Sequence, residues 1–113
     1  MSDCIFCRIA AGEIPSDKVY EDNDILAFRD INPKAPVHIL VIPKQHLVSL
    51  NDVASPDEAL LGRMMVVLRD LAADQGVSET GYRVLSNCGP DGGQEVDHLH
   101  FHLLGGRKLG PLG

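Results

Sequence analysis

Three of the five histidines in this chain fall within residues 98–102, His-Leu-His-Phe-His, at every second position. On an extended strand alternate side chains share a face, so His98, His100 and His102 stand on one side and Leu99, Phe101 and Leu103 on the other. Same-face neighbours are then about 6.6 Å apart, from a rise of about 3.3 Å per residue. That spacing is too wide for direct bonding between the rings and suits two imidazoles flanking a group of phosphate size. Burying polar rings without partners is costly, so the pattern points to chemistry before it points to filling. A triad of metal ligands is the rival reading, because imidazole is the commonest metal ligand. Zinc hydrolases, however, add a carboxylate or another ligand nearby, and Asp97 is expected on the opposite face.

The segment just before the triad, Asn87-Cys-Gly-Pro-Asp-Gly-Gly-Gln-Glu-Val96, is rich in glycine. Such a loop brings backbone N–H groups close to anionic oxygens. It lacks the Gly-Lys-Ser/Thr ending of a P-loop and, taken alone, reads equally as a flexible turn. Directly ahead of alternating imidazoles it reads as an anion cradle. Near the start, Cys4 and Cys7 form a Cys-x-x-Cys pair. In a reducing compartment this is a metal or redox motif before it is a disulfide. The redox reading wants a strand ahead of the pair, and only three residues precede Cys4. Unligated thiols are the third reading.

The elements that would hold these groups follow from periodicity. Residues 4–11 suit a short helix ended by Gly12, and residues 18–30 suit two strands around Asp22-Asn23-Asp24. The β-branched run 37–43 is a strand closed by Pro43. The clearest helix opens at Ser55-Pro56-Asp57-Glu58, with the Ser55 hydroxyl expected as cap and Pro56 at the first helical position. Leu60, Leu61, Met64, Val67, Leu68 and Leu71 recur at helical spacing until Gly76. Strands at 81–87 and 98–105 complete an α+β chain with a mainly antiparallel five-stranded sheet, one long helix and short helical pieces. The absence of regular βαβ alternation weighs against a doubly wound fold.

The 113 residues, 44 % hydrophobic and 23 % charged, suit a single globular domain spanning 1–113. A net charge of −6 argues against a polyanion partner such as nucleic acid, though not against one small phosphate ester. No window approaches the roughly 20 apolar residues of a membrane span. The opening residues lack a basic region and a long apolar stretch, and the three cysteines are an odd number, so the expected location is the cytoplasm.

The run His-Leu-His-Phe-His-Leu-Leu resembles the signature of the histidine triad superfamily. Asp91-Gly-Gly-Gln-Glu-Val96 before it, Gly-Gly-Arg107 after it, and His38-Ile-Leu-Val-Ile-Pro-Lys-Gln-His46 upstream are similar to its Hint branch. That resemblance covers nearly the whole chain. It implies a purine nucleoside phosphoramidase working through a nucleotidyl-histidine, and a homodimer whose two sheets join into one of ten strands. It makes His100 the nucleophile, with His102 and His38 sharing the proton traffic and the phosphate. A neutral imidazole is abundant at pH 7 and attacks without a helper base, which agrees.

By the same resemblance Asn87, Gly93, Glu95 and Val96 contact the phosphate, the last two partly through backbone N–H groups. Asp30 holds the ribose hydroxyls, and Phe6, Ile9, Ile31 and Leu40 wall a purine base. No catalytic cofactor is implied. A structural zinc on Cys4, Cys7, His46 and His98 is implied by relatives with this Cys-x-x-Cys. Two departures bear on the leaving group: Glu95 stands where many relatives place Ser or Thr, and the C-terminal Leu-Gly-Pro-Leu-Gly lacks a Trp-Pro-Pro ending. A dinucleoside polyphosphate hydrolase of the same superfamily and a non-catalytic binding module are the alternative functions.

Overall fold

The computed structural model describes residues 3–112. Helix α1 (Ile5–Ala10) opens with Cys4, whose Sγ accepts the Cys7 N–H at 3.3 Å, and it buries Phe6 and Ile9, three residues apart. Gly12, at φ +79°, ends it in a conformation that disfavours other residues. Strands β1 (Lys18–Glu21) and β2 (Ile25–Arg29) form a hairpin. Its turn is pinned by Asp22, whose Oδ1 accepts the amides of Asp24 and Ile25 at 2.7 and 2.8 Å. Strand β3 (Val37–Pro43), helix α2 (Glu58–Asp74) and strands β4 (Tyr82–Leu85) and β5 (Phe101–Gly105) follow.

The sheet order is β1-β2-β3-β5-β4, with every pairing antiparallel. The expected α+β class, with five antiparallel strands and one long helix, is therefore what forms. Strand β3 lies at the centre and is buried along its whole length, as a run without polar alternation other than His38 requires. Its alternate residues divide two cores. Val37, Ile39 and Val41 join Leu99, Phe101 and Leu103 beneath Met64, Val67, Leu68 and Leu71 of α2. Leu40 and Ile42 join Leu26 and Phe28 against Phe6 and Ile9 of α1. Met64 and Leu68 are almost wholly buried, so truncating either to Ala would cost about 2–5 kcal/mol. Among the described residues no helix is long and apolar enough to cross a membrane.

Three boundaries depart from expectation. Ser55 does not cap the long helix. Residues Ser55–Asp57 form a 3₁₀ turn, in which the Asp57 carboxylate accepts the Ala54 N–H at 3.0 Å, and the long helix starts after it at Glu58 with no side-chain cap. The strand expected over 81–87 is shorter, because the Ser86 hydroxyl donates to the His100 carbonyl at 2.8 Å and Asn87 turns into the loop. The last strand begins at Phe101 and not at His98. Extending the β3–β5 register past Val41↔Phe101 brings Pro43 opposite Leu99. Pro43 has no N–H to give, so the ladder ends before it. Leu99 instead donates to the Leu47 carbonyl at 2.6 Å.

Candidate active site

Although His98 and His100 lie ahead of the paired strand, the expected alternation persists. Leu99 and Phe101 point to α2, while the rings of His98 and His100 lie edge-on to Phe6 of α1, with centroids 6.0 and 5.1 Å away. The His100 and His102 centroids are 5.0 Å apart, nearer than an ideal strand places them, with no hydrogen bond between the rings. Strand β3 adds His38, diagonal to His102 across the register pair Leu40↔His102. His38, His100 and His102 line a cleft of about 290 Å³ on the α1 face, with Phe6, Leu40, Asp30, Asn87, Gly93, Glu95 and Val96 also in its wall.

Hydrogen bonds settle which nitrogen of His100 can react. Its Nδ1 lies 2.7 Å from the His98 carbonyl oxygen. A carbonyl only accepts, so Nδ1 carries the proton, and in the neutral ring the other nitrogen, Nε2, holds the lone pair. The His98 backbone is itself held by a 2.8 Å bond from its N–H to the Val96 carbonyl. Next to it, His38 Nε2 is 2.9 Å from His102 Nδ1 and 3.4 Å from Asp30 Oδ2. Burial, followed by the neighbouring His100 and His38, pushes His102 down to about 4 against the pull of Asp30. Burial also lowers His38, with Lys34 adding to it and Asp30 opposing. Both rings are therefore neutral at pH 7.

The loop is braced by one side chain. Gln94 accepts the Gly89 N–H at 3.0 Å and donates to the carbonyls of Val48 and Val96 at 2.6 and 3.0 Å. Gly92 packs so closely that a Cβ would fall 2.4 Å from the Cys88 carbonyl oxygen. Asn87 spends one amide proton on the Gly92 carbonyl at 2.6 Å and keeps the other. The Gly93 N–H is already given to Pro90 at 3.0 Å, so Gly93 shapes the wall and is not a donor. Among the described residues no protein acceptor takes the N–H of Glu95 or Val96, which leaves two backbone donors for an anion. Asp30 is oriented by the Asn32 N–H, 2.8 Å from its Oδ1.

Two expected wall residues do not line the cleft. Ile9 is buried behind Phe6 in the α1 core. Ile31, 92 % exposed, is turned outward where the chain leaves β2 through the Asp30–Asn32 turn. Four lining residues went unpredicted: Asn32, Lys34, Leu85 and Leu104. For Leu104 the signal was present, since it continues the alternation of His100 and His102. For Lys34 there was none in its side chain.

The fourth and fifth histidines complete a separate group. Cys4 Sγ and Cys7 Sγ lie 3.3 and 3.4 Å from His98 Nδ1, and His46 Nδ1 lies 3.1 Å from Cys7 Sγ and 3.2 Å from His98 Nδ1. The four residues form a group that could hold a metal ion. The other nitrogen of His98, Nε2, donates to the Pro43 carbonyl at 2.8 Å, so Nδ1 faces the cluster with its lone pair. Burial, chiefly, lowers the affinity of His98 for a second proton and keeps that lone pair available.

The HIT domain family model matches residues 11–109. A protein of Escherichia coli K12 named purine nucleoside phosphoramidase is 51 % identical over 97 % of this chain and 92 % of its own length. Protein HitA of Neisseria gonorrhoeae is 50 % identical over 93 % of this chain and 97 % of its own. Among solved structures, a histidine triad protein from Clostridium difficile superposes with a TM-score of 0.95 at 53 % identity, covering 100 % of this chain and 98 % of that one. A HIT family hydrolase from Legionella pneumophila gives 0.93 at 53 % identity, covering 94 % and 95 %. The imidazole-lined cleft, the fold and the length of the match agree: this chain belongs to the HIT domain family.

Proposed function

We propose that this chain is a hydrolase that cleaves the P–N bond of purine nucleoside monophosphate phosphoramidates, with His100 as nucleophile. One observation carries the reading: the His98 carbonyl holds the His100 proton on Nδ1, so a lone pair stands on the ring nitrogen that attacks. The name of the Escherichia coli relative supports the substrate class, and the Legionella hydrolase supports the reaction type.

His100 Nε2 attacks phosphorus, forming an N–P bond as the bond to the amine breaks. The amine leaves with the electron pair and takes a proton from water at the cleft mouth. The resulting imidazolium shares its charge through Nδ1–H with the His98 carbonyl. Water then attacks phosphorus, releases its proton to solvent, and returns the lone pair to His100. His102, His38, Asn87 and the N–H groups of Glu95 and Val96 surround the phosphoryl oxygens, Gly93 lets them approach, and Asp30 accepts from the ribose hydroxyls. Phe6 and Leu40 wall the base, with Ile9 behind them and Ile31 at the rim. A flat apolar wall selects by size and so favours a purine.

The test gives purified protein a lysine-linked AMP phosphoramidate and a diadenosine polyphosphate side by side. AMP release from the first, abolished in His100→Ala, is expected. Faster release from the second would make the protein a dinucleoside polyphosphate hydrolase. Nucleotide binding without turnover of either would make it a binding module.

We also propose that Cys4, Cys7, His46 and His98 hold a structural zinc. Zn–N bonds of about 2.0–2.1 Å and Zn–S bonds of about 2.3 Å in a tetrahedron place ligand atoms roughly 3.3–3.8 Å apart. The distances here, 3.1 to 3.4 Å, are close to that. Bound zinc would clasp α1 to the start of the triad strand and take no part in the chemistry. Two thiolate ligands suit a reducing compartment, which supports the cytoplasm. A homodimer is proposed on the outer edge of β4, which among the described residues pairs only with β5 and exposes Tyr82 and Val84. Net charge −6 leaves nucleic acid and membrane surfaces as poor partners.

A further inference from the structure

One bond beside the catalytic cleft comes from the backbone. The Lys34 N–H donates to His38 Nδ1 at 3.0 Å. An amide nitrogen cannot accept, so this nitrogen of His38 must carry a lone pair. A neutral imidazole has one proton, which therefore sits on His38 Nε2. That atom faces His102 Nδ1 at 2.9 Å, nearer than Asp30 Oδ2 at 3.4 Å, so His102 Nδ1 accepts the proton. His102 in turn carries its own proton on Nε2.

The geometry points to the Lys34 amide as a positioning group that fixes the tautomers of both His38 and His102. Each step in the chain is forced by the one before: amide to His38, His38 to His102, and His102 Nε2–H outward. His100, by contrast, has its proton on Nδ1 and its lone pair on Nε2. The two rings, 5.0 Å apart, so have opposite tautomers. One presents a nucleophile and the other a donor. On the phosphoramidase reading, that donor is aimed at a phosphoryl oxygen as negative charge grows there. The tautomers themselves do not depend on that reading.

The amide has a second effect. Asp30, His38 and His102 together could hold a metal ion by the spacing of their atoms. A metal on His38 Nε2 would drive the proton to Nδ1, against the Lys34 N–H. A metal on Nδ1 would have to displace that N–H. The backbone thus closes these three residues to a cation, although their types and distances invite one.

The test is nitrogen-15 NMR of histidine-labelled protein at pH 7, where ring couplings identify the protonated nitrogen. In the wild type, His38 and His102 are expected with the proton on Nε2 and His100 with the proton on Nδ1. A proton on Nδ1 of either His38 or His102 would overturn the proposal, with no variant needed. Lys34→Pro removes the amide proton, and Lys34→Ala keeps it. The Ala variant should retain the wild-type pattern, while the Pro variant should show both tautomers at His102. Its kcat should fall about tenfold below that of Lys34→Ala, with KM changing little, a part of the 10²–10⁴-fold effect of a positioned donor. An unmixed wild-type pattern in folded Lys34→Pro would refute the role of the amide. Correct tautomers in a protein that turns over no phosphoramidate would refute the assigned function and leave the proton arrangement standing.

Discussion

The carbonyl oxygen of His98 lies 2.7 Å from Nδ1 of His100, while the ring of His98 points the other way, into the cysteine cluster. One residue thus joins two sites, through its backbone to the proposed nucleophile and through its imidazole to the cysteine cluster.

His100→Ala removes the lone pair without touching the ribose or base contacts. Single-turnover release of the nucleotide should fall by about 10³-fold or more, on the usual scale for a lost nucleophile, while AMP affinity stays within a few-fold. Rapid quench and calorimetry measure the two. A variant keeping a tenth of the wild-type rate contradicts the role.

Asp30→Ala should weaken AMP by about 1–3 kcal/mol, the scale for losing an acceptor of hydroxyl donors. An analogue lacking both ribose hydroxyls should lose far less. Equal losses would make Asp30 a turn residue, held as it is by the Asn32 amide.

Protein purified without chelator or a histidine tag should contain one zinc per chain by elemental analysis. Cys4→Ser/Cys7→Ser should contain none and melt at a lower temperature, since a bound ion stabilises the state that binds it. Unchanged zinc in that variant would place the ion elsewhere.

His38 and His102 both resist protonation in the folded chain, while their ordinary value is 6.5. Their contribution to stability is complete above pH 6.5. As pH falls from there toward about 4, the unfolded chain takes up protons that the folded site refuses, and stability declines. Urea midpoints at pH 7.5, 6 and 5 should fall in that order, and less steeply in His102→Gln. His100, Asp30 and Lys34 surround the pair, so the comparison belongs at constant ionic strength.

Light scattering at micromolar concentration should give the mass of a dimer, and Val84→Asp, at the outer strand, should lower it to a monomer. A monomeric wild type contradicts the proposed interface.

What the sequence disclosed and what it hid divide along a physical line. Side-chain identities were legible: the alternation of His98, His100 and His102 against Leu99, Phe101 and Leu103 survived even where the strand did not. The four candidate metal-binding residues Cys4, Cys7, His46 and His98 also came together. Backbone donors and acceptors were not legible, because nearly every residue carries the same pair. The Lys34 amide, the His98 carbonyl and the early end of the ladder at Pro43 emerge only when the chain is folded. How far Ile31 stands from the cleft was not legible either, because the turn after β2 sets it and leaves the side chain 92 % exposed.

Helix α1 is six residues long, and it carries Phe6 of the cleft between the two cysteines at Cys4 and Cys7. A helix so short cannot persist alone. It is held by the burial of Phe6 and Ile9, and a zinc on the cysteines, as proposed, would add to that hold. The proposed ion on the cysteines and a base against Phe6 would therefore order the same turn, and each would share with the other the entropy cost of doing so. Thermodynamic reciprocity then applies: any factor by which zinc tightens the nucleotide is the factor by which the nucleotide tightens zinc. A chelator should strip the ion more slowly, and at higher concentration, from protein saturated with AMP.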